Sequence, residues 1–158
     1  FTAPHRRRVD GTVRATMPLN YGGNLIENFS LTFKEGRVVD FSAERGEALL
    51  RSHLETDEGA ARLGEVALVP HSSPIAQSGL LFLNTLFDEN AASHIALGRA
   101  YQNCINGCEG MDEESFAEMG GNSSVTHLDF MIGSAEIDVD GLLGETAEPL
   151  MRSGEWVK

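Results

Sequence analysis

The chain is poor in the features that mark several large protein classes. Only 2 of its 158 residues are cysteine, too few for a disulfide scaffold, so a reducing compartment is the default. Cations are also scarce: 12 Lys and Arg face 24 Asp and Glu, a formal charge of −12. A partner held by phosphate contacts needs clustered Lys and Arg. The one basic run, Arg6-Arg7-Arg8, is too short and isolated to supply them, which argues against nucleic acid. No stretch approaches the roughly 18 apolar residues of a membrane helix, and no secretory pattern opens the sequence. No membrane partner is expected, and the expected location is cytoplasmic. Internal repeats and low-complexity segments are lacking too.

What is there suits one folded unit. Hydrophobic residues make up 41% of the chain and charges of both signs are interspersed, which excludes intrinsic disorder. A length of 158 residues matches one domain with a real core. The 17 glycines suggest many turns and short strands.

The hydrophobic period starts at two. Residues 9–16 and 25–33 alternate, the latter with Leu25, Glu27, Phe29, Leu31 and Phe33 on one side. Asn20 to Asn24 reads as a turn, because Gly22 and Gly23 tolerate positive φ. Lys34-Glu35-Gly36-Arg37 reads as a hairpin turn into a strand at 38–42, completing an antiparallel meander. The period then becomes helical over 43–54. A second helix is predicted over 57–63 with Thr56 as N-cap and Gly64 as its end. Strands follow at 65–69, 94–101 and 125–132, and a helix at 111–119 with Asp112 as cap. The apolar run 80–87 suits strand or helix. Asp140-Gly141 signals a hairpin. The fold class expected is α+β, a largely antiparallel or mixed sheet with a few short helices.

The strongest chemical signal is His127-Leu128-Asp129 inside an apolar strand. In a strand, residues i and i+2 share a face, so an imidazole and a carboxylate project together. Burying that pair is costly unless both groups are satisfied. A neutral histidine hydrogen-bonded to its neighbour does so; so does a divalent ion such as zinc, cobalt or manganese, which imidazole nitrogen and carboxylate oxygen suit. Other metal-type residues stand at strand ends: Glu65 after Gly64, Glu89 after an apolar run, His94 five residues later, and Tyr101 seven beyond that. Asp88 reads as a solvated surface acid. Cys104 and Cys108 are spaced for half of a structural zinc site, or are small buried thiols.

Ordered segments along the whole chain resemble the M29 family of metallo-aminopeptidases, the aminopeptidase T and aminopeptidase S group. They include Phe1-Thr2-Ala3-Pro4-His5, Pro18-Leu19-Asn20-Tyr21-Gly22-Gly23, Gly64-Glu65-Val66-Ala67-Leu68-Val69-Pro70 and Leu86-Phe87-Asp88-Glu89-Asn90. His94-Ile95-Ala96-Leu97-Gly98-Arg99-Ala100-Tyr101, Gly120-Gly121-Asn122-Ser123, His127-Leu128-Asp129-Phe130 and Arg152-Ser153-Gly154-Glu155-Trp156 continue it. The resemblance implies two divalent metal ions, zinc or cobalt before magnesium or manganese. Glu65 would bridge them, His94, His127, Asp129 and Glu89 would be further ligands, and Tyr101, with Glu65, would be catalytic. It implies peptide substrates with a free N-terminus and a homodimeric enzyme. The family has another glutamate ligand in a Pro-Thr-Glu-Glu-like run just ahead of the segment matching Phe1 to His5, and a domain further upstream. Residues 1–158 therefore correspond to the C-terminal, metal-carrying domain, and the isolated chain is expected to bind at most one divalent ion firmly and to show negligible aminopeptidase activity. Two readings compete: a non-catalytic folded fragment, and an interaction module built on zinc at Cys104 and Cys108.

Overall fold

The computed structural model describes residues 1–157. Strands β1 (Gly11–Arg14), β4 (Ser30–Lys34) and β5 (Arg37–Ser42) form one antiparallel sheet in the order β1-β4-β5, beside a small hairpin of β2 (Leu19–Tyr21) and β3 (Asn24–Ile26). A second antiparallel sheet is β6 (Leu63–Ala67), β7 (His94–Gly98) and β8 (His127–Met131), in chain order. A third contains β9 (Val139–Leu143), β10 (Thr146–Arg152) and β11 (Glu155–Trp156). Helices α1 (Glu47–Leu54), α2 (Pro74–Ser78), α3 (Thr85–Asp88) and α4 (Glu113–Glu118) are short. This is the α+β class, with every strand pairing antiparallel. No helix among the described residues is long and apolar enough to cross a membrane.

The core lies between the first two sheets. Leu31 and Phe33 from the first, with Phe29 just before β4, meet Ile95, Leu97, Leu128 and Phe130 from the second, and α1 adds Leu50 and Leu54. Phe29 and Phe130 stack with ring centroids 5.1 Å apart. Period two then decides the rest: with the odd members of β7 and the even members of β8 buried against this core, His94, Ala96, His127 and Asp129 are turned to the opposite face.

Several elements depart from the sequence expectations for local reasons. The strand expected over 25–33 is two strands. Asn28 adopts φ 49° and flips the buried face from Ile26 to Phe29, Leu31 and Phe33. Helix α1 begins only at Glu47, because the preceding backbone is used by Glu44 and Arg45 N–H groups donating to Glu27 O. The helix expected over 57–63 is a single 3-10 turn, Gly59–Ala61, capped by Asp57 rather than Thr56: the Asp57 carboxylate accepts from Ala60 N at 2.8 Å. Gly64 does not end a helix but lies inside β6, where the register shifts between Leu63 and Glu65. Residues 80–84 are irregular and only Thr85–Asp88 is helical. Asp140-Gly141 lies within β9, and the reversal comes at Gly144-Glu145, between β9 and β10. The Asp112 cap is as read, accepting from Ser115 N at 2.9 Å.

Asn122 fastens the segment leaving β7. Fully buried, its side-chain amide donates to Gly59 O at 2.9 Å and to Gly98 O at 2.7 Å, while its backbone carbonyl accepts from Ala100 N at 2.8 Å. Removing the side chain strands two buried carbonyls at about 1–3 kcal/mol each. Asn122→Ala is therefore expected to lower the unfolding free energy by about 2–4 kcal/mol, read from the midpoint of urea denaturation.

Candidate metal centre

Cross-strand register assembles the site. Glu65 on β6 is opposite Ala96 on β7, which is opposite Asp129 on β8. One row across the sheet thus reads carboxylate, methyl, carboxylate. His94 occupies the neighbouring row between Ala67 and Met131, and His127 is opposite Gly98. Because residues in a row stand about 4.5–5.5 Å apart at Cβ, the two acids can converge only over a small residue. Ala96, with no exposed surface, is that residue, and its role was not legible in the sequence.

Two close approaches set this register. A Cβ on Gly64 would be 2.3 Å from Arg99 O, so the bulge that turns Glu65 to the site face requires glycine. Gly98 ends β7 with φ 99°, and a Cβ there would meet Thr126 O at 2.2 Å. The strand expected to run to Tyr101 therefore stops at Gly98, and the chain turns alongside β8. Arg99 N donates to Thr126 O at 2.7 Å, and the Tyr101 ring arrives 5.2 Å from the His127 ring.

The polar atoms are close and mostly buried. His94 Nε2 lies 3.5 Å from Glu65 Oε1, His127 Nε2 lies 3.8 Å from Glu65 Oε2, and His127 Nε2 lies 3.3 Å from Asp129 Oδ1. One ligand atom each from Glu65, His94 and Asp129 falls within a mutual 4.8 Å, and these residues are 7%, 5% and 7% exposed. Both imidazoles are held from behind. His94 Nδ1 donates to Ala92 O at 3.0 Å and His127 Nδ1 to Arg99 O at 2.8 Å. With the Nδ1 proton so engaged, each neutral ring points the Nε2 lone pair at carboxylate oxygens. That arrangement is repulsive unless a cation sits between them, either a proton or a metal ion.

The acid–base properties agree. The Asp129 hydrogen bond holds the His127 pKa above its ordinary value, against the opposing effect of burial. Burial pushes the Glu89 carboxyl above the usual carboxylate range, and the negative charge of Asp129 adds to the shift. Glu89 opens the 3-10 turn Glu89–Ala91 and lines, with Tyr101 and the residues above, a cavity of about 460 Å³. Phe1, Leu68, Val69 and Leu86 line the same cavity, and none of these four was picked out from the sequence. The donor set, imidazole nitrogen with carboxylate oxygen, fits zinc, cobalt or manganese.

Two other sequence readings resolve differently. Asp88 is not solvated: it is 4% exposed, and its carboxylate accepts from Phe82 N at 2.8 Å and Asn84 N at 3.0 Å. Cys108 is buried with Ala100 and Phe116, and neither cysteine joins a group of three or more metal-type side chains among the described residues.

Comparison with known proteins gives the family. The chain is 56% identical to Aminopeptidase 2 of Geobacillus stearothermophilus over 99% of its own length. It is 58% identical to Aminopeptidase T of Thermus thermophilus, again over 99%. In both cases it spans 38% of the length of the relative. The solved structure of wild-type AmpT from Thermus thermophilus superimposes with a TM-score of 0.93 at 57% identity, covering 99% of this chain and 38% of that one. The family model for thermophilic metalloproteases (M29) matches residues 1–156, and the chain belongs to that family.

Proposed function

We propose that residues 1–158 form the metal-carrying catalytic unit of an aminopeptidase, which binds two divalent ions and releases N-terminal residues from peptides. The observation that supports it most is the pair of imidazole Nε2 atoms facing carboxylates in one cavity. In this reading Glu65, His94, His127, Asp129 and Glu89 hold the ions. Zinc or cobalt are favoured, with magnesium or manganese as alternatives. Glu65 would serve both ions, since its two oxygens face different histidines, Oε1 toward His94 and Oε2 toward His127. When bound, such ions polarise the scissile carbonyl and lower the pKa of water.

The chain's own groups do the remaining work. Ala92 O and Arg99 O fix the ring orientations of His94 and His127, so each Nε2 is aimed before anything binds. The free α-amine that distinguishes a peptide's first residue would be received at this polar end of the cavity. Tyr101, 42% exposed and lining the cavity, would donate its hydroxyl hydrogen to the oxygen that becomes negative as the carbonyl is attacked. A carboxylate of the cluster would carry the proton to the leaving amine. A homodimer in the cytoplasm is the assembly and location that go with this reading.

Two substitutions test the roles, assayed in the full-length polypeptide with a leucine anilide. Glu65→Gln keeps the shape and removes the charge that two cations would share. Turnover is expected to fall to background with the melting temperature nearly unchanged; retained turnover with two ions per chain contradicts the bridging role. Tyr101→Phe removes only a hydroxyl. The kcat is expected to drop about 10²–10³-fold while metal content by atomic emission stays constant, and an unchanged kcat returns Tyr101 to a packing role.

A further inference from the structure

The cavity joins two kinds of surface. Glu65, Glu89 and Asp129 carry its negative charge, whereas Leu68, Val69, Leu86 and Phe1 are apolar. Leu86 and Phe1 are each 75% exposed, and the turn beneath Leu86 is fastened on both sides. Asn84 Oδ1 accepts from Leu86 N at 3.2 Å, and Asn90 Nδ2 donates to Leu86 O at 3.1 Å. The buried Asp88 carboxylate ties down the backbone of Phe82 and Asn84 just before it. A leucine fixed in position at the mouth of a charged cavity leaves apolar area in water until an apolar group meets it.

We propose that Leu86 is a specificity-determining residue: with Leu68, Val69 and Phe1 it receives the side chain of the peptide's first residue, selecting apolar first residues over small ones. The proposal rests on the aminopeptidase reading for the identity of the occupant. The fit is one of complementary ends. A first residue brings an amine and the scissile carbonyl, which belong at the polar end, and one side chain, which the remaining apolar surface accommodates. Leu86, Leu68 and Val69 come from segments flanking the two strands that carry Glu65 and His94, so the apolar surface is fixed relative to the polar one.

The test is a ratio. In the full-length, metal-loaded polypeptide, kcat/KM is measured for leucine and alanine anilides in the unaltered chain, Leu86→Ala and Leu86→Met. Truncation at a substrate-facing apolar position reduces discrimination by about tenfold or more. The leucine-to-alanine ratio is expected to fall by that factor in Leu86→Ala and to be largely kept in Leu86→Met. An unchanged ratio, or equal loss on both substrates, overturns the proposal. Binding supplies a readout independent of turnover: calorimetry with leucine hydroxamate and alanine hydroxamate is expected to show tighter binding of the former, lost in Leu86→Ala. If neither anilide is hydrolysed while this binding preference holds, the aminopeptidase reading fails and the pocket stands. Equal binding of the two hydroxamates overturns the pocket whether or not hydrolysis is seen.

Discussion

The structure turns on a conflict of charge that antiparallel pairing creates. Three short strands bring Glu65 and Asp129 together over Ala96 and aim the Nε2 atoms of His94 and His127 at them. Each of these groups alone is satisfied by water. Together, and nearly excluded from it, they are satisfied only by a cation. Protonation does this in part, which is why the Asp129 contact raises the pKa of His127. A divalent ion does it with greater charge and directional bonds. The remainder of the fold keeps that conflict in place.

The support is largely backbone. The carbonyls of Ala92 and Arg99 choose the histidine tautomers, and both belong to segments flanking β7. The second of these segments is pinned in turn by Asn122 and by the close approach of Gly98 to Thr126. On the opposite face Ile95, Leu97, Leu128 and Phe130 are packed against the first sheet. A strand that slipped by one residue would expose those side chains and bury the ligand-type ones. The hydrophobic core therefore specifies the chemistry of the face it never touches. The apolar mouth around Leu86 follows the same pattern, since a buried carboxylate, Asp88, holds the turn that projects it.

Much of this was legible along the chain and little of it across the chain. The α+β class, the hairpin turn at Glu35-Gly36, the Asp112 cap and the shared face of His127 and Asp129 depend on neighbours within a few residues, and sequence periodicity reports those. The M29 resemblance was legible too, from segments spread over the full length. What escaped was set by partners distant in sequence. The flip at Asn28, the bulge at Gly64 and the early end of β7 at Gly98 each depend on a backbone atom from another segment, or on a φ that an alternating pattern does not encode. Ala96 carries no chemistry of its own, so only the register shows that its smallness matters. Asp88 looked solvated because its acceptors' partners, the N–H groups of Phe82 and Asn84, lie in a segment whose loop conformation the apolar run concealed.

The central claim is that the carboxylates of Glu65 and Asp129 and the Nε2 atoms of His94 and His127 are gathered for metal. Anomalous diffraction from crystals of the protein grown with cobalt or zinc locates the ions directly. The account predicts a peak about 2.0–2.2 Å from His94 Nε2 and from an oxygen of Glu65, with the side chains moving inward by small rotations. Peaks confined to Cys104 and Cys108, or none within bonding distance of either histidine, would contradict it.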